Sequence, residues 1–97
     1  MQPDSNRKKK KKVDYEALHS RLMQVPGMKV AAVRALLNIG ITEVYELSGR
    51  SPEVLFHEAL KKAPETESDV FAFIQMAVYY AENSDPEPSK MRVQFWR

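Results

Sequence analysis

The chain has no cysteine and only three glycines, one tryptophan and two histidines in 97 residues. Without thiols, disulfides and thiolate metal sites are excluded, which suits a reducing, cytoplasmic setting. No apolar run approaches the roughly 20 residues needed to span a bilayer. The basic start is not followed by an apolar stretch, which argues against a secretory signal and against a membrane partner. A P-loop and a dinucleotide fingerprint are both missing. His19 and His57 stand on separate segments, with no second ligand at helical spacing. The serines have no nucleophile motif around them, so a non-catalytic protein is expected, with no cofactor and no metal.

Charge is unevenly spread. Residues 1–12, "MQPDSNRKKKKK", hold six basic residues and one acid, a balance of +5; residues 13–97 hold nine basic and twelve acidic, a balance of −3. The first segment has no hydrophobic periodicity and its lysines repel one another, so it reads as a disordered basic tail. Arg7, Lys8, Lys9, Lys10, Lys11 and Lys12 form a run that can neutralise phosphates without sequence preference. If all six engage a duplex, the log–log salt slope is about −5. A solubilising tail, a nuclear-localisation-like run and an anionic-surface contact are the other readings of such a run.

Beyond Val13 every strong segment reads as helix. "VDYEALHSRLMQV" has Asp14 as N-cap and Tyr15, Leu18 and Leu22 on one face, with Val13 able to staple onto Leu18. Pro26-Gly27 ends it. "KVAAVRALLN" carries Val30, Val33 and Leu37 as a stripe, alanines that admit a close neighbour, and Gly40 as C-cap. Thr42 caps a short third helix, "EVYELS". Ser51, Pro52 and Glu53 open "SPEVLFHEALKK", which Lys61 and Lys62 close. "TESDVFAFIQMAVYYAEN" has so wide an apolar arc that it is expected at the centre, with Thr66 and Asp69 at capping-box spacing. The expected architecture is all-α, a compact bundle of about five short helices. Residues 13–83 would form the domain. Residues 84–97 would be a C-terminal extension docking on the domain or on a partner.

The Pro-Gly corner carries the functional reading. Such a corner can point backbone N–H groups at a phosphate oxygen, helped by the positive end of the following helix. Val25-Pro26-Gly27-Met28 meets that requirement. Lys29 then stands where a second glycine is usual. Gly27, Met28, Lys29 and Val30 are therefore the candidate phosphate contacts, with Lys29 offering either a side-chain charge or only a place in the packing. A plain helix–helix connector is the bland alternative. Tyr79, Tyr80, Phe95 and Trp96 are read as core or as anchors for the C-terminal segment rather than as base-stacking groups.

Several motifs together resemble the small helix-hairpin-helix proteins of the "pathogenicity locus" family. They are Val25-Pro26-Gly27, Ile39-Gly40-Ile41, Val44 to Leu47, Gly49-Arg50-Ser51-Pro52, Ala77-Val78-Tyr79-Tyr80-Ala81-Glu82-Asn83 and the Asp85-Pro86-Glu87 turn. The likeness spans residues 13–97. It implies a SAM-like fold related to DNA-binding hairpins, a bacterial intracellular setting and no known catalytic activity. The chain departs from that pattern at Lys29, at Ser68-Asp69 and in its lysine run. Two partner classes follow: DNA, bound without sequence preference, or another protein or a second copy, engaged through the C-terminal aromatic segment. In the second case the protein is an interaction module that keeps the fold without phosphate binding. A monovalent cation at the corner carbonyls, as in related hairpins, is not required by anything in the sequence.

Overall fold

The fold is built around one helix that water cannot reach on most of its circumference. The computed structural model describes residues 13–97, so the basic segment 1–12 lies outside the described residues. Four α-helices are present: α1 (Tyr15–Leu18), α2 (Val30–Asn38), α3 (Pro52–Lys62) and α4 (Val70–Glu82). Four single 3-10 turns accompany them, at Arg21–Gln24, Val44–Leu47, Pro88–Met91 and Val93–Trp96. No strand occurs among the described residues. The described residues are thus all-α, with four α-helices rather than about five.

The first expected helix is interrupted, for a local reason. Asp14 caps α1 by accepting from Ala17 N at 3.1 Å. Ser20 then adopts an extended backbone and its Oγ accepts from Leu22 N at 3.0 Å, starting a new 3-10 turn. A serine that bonds the backbone just ahead competes with helix continuation. The break rotates the apolar face. Ala17, Leu22 and Val25 are buried, whereas Tyr15, Leu18 and Val13 stay exposed, so Tyr15, Leu18 and Leu22 do not form one buried face.

The segment after α2 also departs from expectation. Val44–Leu47 is a single 3-10 turn capped by Glu43, not Thr42; Glu46 Oε1 accepts from the amides of Thr42 (2.8 Å) and Glu43 (2.9 Å). Those two amides hold the Glu46 carboxyl below its usual range.

α2 ends as its glycine demands. Gly40 has φ +89°, its amide donates to Leu37 O, and Ile41 N donates to Leu36 O at 3.0 Å. This is a Schellman closure, with Leu36 and Ile41 both buried beneath it. α3 starts at Ser51, whose Oγ accepts from Val54 N, and Pro52 occupies the position that needs no donor. Only Leu55 and Ala59 of α3 are fully buried.

α4 buries Val70, Ala72, Phe73, Ile74, Met76, Ala77 and Val78. It packs against α2, α3, the Val44–Leu47 turn and the C-terminal segment. Asp69 flanks it without a capping bond, and Thr66 Oγ1 donates to Ala63 O instead of forming a capping box. Leu22, Val33, Leu36, Leu47, Leu55, Ile74 and Met76 are each essentially inaccessible and form one core. Burying each such side chain contributes about 1.5–3 kcal/mol.

Candidate nucleic-acid interface

The corner is a type II turn. Met28 N donates to Val25 O at 3.1 Å, Pro26 sits at the second position and Gly27 at the third with φ +77°. Only glycine adopts that φ without strain. Pro26, Gly27, Lys29 and Ala31 are exposed, while Val25 is buried and fixes the turn to the core.

Lys29 is the N-cap residue of α2, with φ −109° and ψ 139°. These are ordinary extended values, open to any residue, so the backbone does not need a glycine there. Among the described residues no side chain caps this end. The first bonds within the helix come from Ala32 N and Val33 N, both to Lys29 O. Among the described residues no acceptor engages the amides of Gly27, Lys29, Val30 or Ala31. The corner therefore presents donors at the positive end of a nine-residue helix.

The Lys29 side chain is engaged by Glu67 and Phe73. Its Nζ lies 3.2 Å from Glu67 Oε1 and 5.8 Å from the centre of the Phe73 ring. Both ionised partners are exposed, so the pair is worth only about 0–1 kcal/mol and an incoming anion can displace it. Next to it lies a cleft of about 310 Å3 between α2 and the α3–α4 connection. Glu65 and Glu67 are on its wall, opposite Arg34.

Arg34 is already committed. Its Nε reaches Asp14 Oδ2 at 2.7 Å and its Nη2 reaches Asp14 Oδ1 at 2.9 Å and Glu16 Oε1 at 2.7 Å. The Arg34 guanidinium, with the Ala17 amide second, pulls the Asp14 carboxyl down to about 2. Asp14 thus caps α1 and ties it to α2. Neither the spacing of Asp14 and Arg34 nor their types signalled this pairing, because α1 and α2 meet only in three dimensions.

On the other side, the C-terminal segment folds back on α4. Arg97 forms a two-bond pair with Asp69 (2.9 and 2.8 Å), which holds that carboxyl below its ordinary value. Trp96 Nε1 donates to Lys90 O at 2.7 Å, and the Trp96 ring lies 5.6 Å from that of Tyr79. Tyr79 Oη accepts from Glu87 N. The same strap brings Met91 O to 3.3 Å from where a Cβ on Gly27 would sit. One flank of the corner is therefore covered by the strap, and another carries the Glu67 carboxylate.

His19 and His57 are both exposed and lie on separate elements. His19 Nδ1 lies 2.9 Å from Tyr15 O, and its ring lies nearly parallel to that of Tyr15 with centres 6.0 Å apart. Among the described residues no three His, Asp or Glu side chains gather into a metal-holding group. No helix among them is long and apolar enough to cross a membrane. Arg7 to Lys12 lie outside the described residues. Comparison with family models, curated proteins and solved structures returns no match.

Proposed function

We propose that this chain is a small, non-catalytic, cytoplasmic helix-hairpin-helix protein that holds the phosphate backbone of nucleic acid without reading its sequence. The supporting observation is the exposed type II turn at the head of α2, where four successive positions include three amides with no acceptor among the described residues. Gly27, Met28, Lys29 and Val30 would surround one phosphate. The cations from Arg7 to Lys12 would supply the charge that the mildly acidic remainder lacks. The resemblance to the "pathogenicity locus" proteins, and through them to a SAM-like fold, favours the same reading.

A second reading has its own observation behind it. Lys29 is engaged by Glu67, and residues 13–97 carry a balance of −3. A protein-interaction module that keeps the turn for packing alone fits those facts.

Titration of duplex and single-stranded DNA against four proteins separates the two. The proteins are the full chain, a variant with Arg7 to Lys12 replaced by Gln, and that variant carrying either Lys29→Glu or Glu67→Gln. Phosphate binding at the corner predicts residual affinity after the tail is neutralised. Lys29→Glu then weakens it, and Glu67→Gln, which frees Lys29, strengthens it. If the tail-neutralised protein binds and neither corner substitution changes its affinity, the corner is structural. If no protein binds either DNA, the interaction module stands.

A further inference from the structure

We propose that the chain carries its anion-binding corner twice, and that the carboxylate of Glu82 holds the second one shut. This extends the phosphate reading of Gly27 and names the residue that leaves nucleic acid one open corner of two.

The turn at Val25–Met28 recurs 22 residues later, at Leu47–Arg50. Arg50 N donates to Leu47 O at 3.1 Å, as Met28 N does to Val25 O. Ser48 has φ −63° and ψ 130° at the second position, and Gly49 has φ +81° at the third, against +77° at Gly27. Both are type II turns. Lys29 and Ser51 then follow as extended N-cap residues that open α2 and α3. The anchors match as well. Val25 and Leu47 are buried at the first position of each turn, and Val33 and Leu55 at the fourth position of each helix.

The two corners differ in what occupies them. Gly49 N donates to Glu82 Oε2 at 2.7 Å, across 33 residues of sequence. The corresponding amide of Gly27 has no acceptor among the described residues. A carboxylate at that distance makes a charge-assisted bond and sets a negative oxygen on the turn. Glu82 is exposed and forms no ion pair among the described residues, so a backbone amide holds it rather than a cation. The fold thus already carries an anion at this corner. Arg50, also exposed, lines a cleft of about 250 Å3 together with Glu82. With Glu82 withdrawn, Gly49 N and Arg50 offer a phosphate oxygen a donor and a charge. With Glu82 in place, its carboxylate fills the position and repels a phosphate. Pro52 has no amide hydrogen and Ser51 Oγ takes that of Val54, so Gly49 N is the donor on which the second corner turns.

The test uses the full chain labelled with nitrogen-15 glycine, which gives one amide resonance for each of Gly27, Gly40 and Gly49. Gly40 N is bonded to Leu37 O and serves as the internal control. Inorganic phosphate and a short DNA duplex are titrated into the parent, Glu82→Ala and Glu58→Ala. The last removes an equal charge from an exposed position on α3. Alanine suits both helical positions, and circular dichroism checks that each variant keeps its fold. In the parent and in Glu58→Ala we expect Gly27 alone to shift. In Glu82→Ala we expect Gly27 and Gly49 both to shift. A Gly49 resonance that moves as readily in the parent, or that stays still in Glu82→Ala, overturns the seal. If Gly27 shifts throughout and Gly49 never does, this inference fails and the corner reading stands. If Gly49 shifts in Glu82→Ala while Gly27 never does, the seal stands and the Gly27 reading fails. Shifts with phosphate but not with duplex keep the seal and replace the nucleic-acid backbone by a small phosphate-bearing ligand. If neither glycine moves in any protein, both readings fail.

Discussion

Replacing Gly27 with alanine tests whether the C-terminal strap is fastened to the corner. All three glycines have positive φ: +77° at Gly27, +89° at Gly40 and +81° at Gly49. An L-residue in that region costs roughly 1–2 kcal/mol. Alanine returns roughly 0.4–1 kcal/mol by stiffening the unfolded chain, leaving a net loss of about 1 kcal/mol. A Cβ at Gly40 or Gly49 would meet nothing within 4 Å, so that loss is their whole effect. At Gly27 the Cβ would sit 3.3 Å from Met91 O, and Met76 Cε lies 3.8 Å away. The first contact is tight and its partner is backbone. The Arg97–Asp69 pair and the Trp96–Tyr79 contact hold that backbone in place. Relieving the contact therefore means moving the strap, which brings the expected cost to about 2 kcal/mol. For a domain of this size each kcal/mol lowers Tm by about 4–8 °C. Gly40→Ala and Gly49→Ala should then lose about 4–8 °C each, and Gly27→Ala about twice as much. Trp96 is the only tryptophan, so its fluorescence reports on the strap. It should shift in Gly27→Ala alone. Equal melting losses at all three positions, with an unchanged tryptophan spectrum, would refute the fastening.

Three further outcomes follow from single contacts. Asp14 is held at about 2 against a usual 3.8, so its contribution is complete above about pH 4 and is lost as pH falls towards 2; Asp14→Asn should flatten that part of a Tm-versus-pH curve. Gln75 Oε1 is buried without a partner among the described residues, and Gln75→Met should raise Tm by a few degrees through removing about 1 kcal/mol of desolvation cost. An unchanged Tm would mean that water reaches the oxygen through the clefts on either side of Trp96. Ser51→Ala removes the oxygen that accepts from Val54 N and should cost about 1 kcal/mol in denaturant unfolding, with Ser51→Asp retaining most of the stability.

Local chemistry by itself determined the parts of this protein that depend on neighbours in sequence. The Ser51-Pro52 start, the Gly40 closure and the apolar arc of α4 lie where short-range rules put them, because caps, φ preferences and helical periodicity act within a few residues. Competition between two local signals was harder to read. Asp14 and Tyr15 favour a helix, but Ser20 restarts the chain five residues later, and that moved Tyr15 and Leu18 from the core to the surface. Tertiary structure alone decided what surrounds the corner. Glu67 is 38 residues from Lys29, and Met91 comes from the far end of the chain to lie over Gly27. Ion pairs and close backbone approaches at such separations have no period and no preferred spacing. They exist because α4 is buried on several sides, so the segments packed around it are brought together at the same turn.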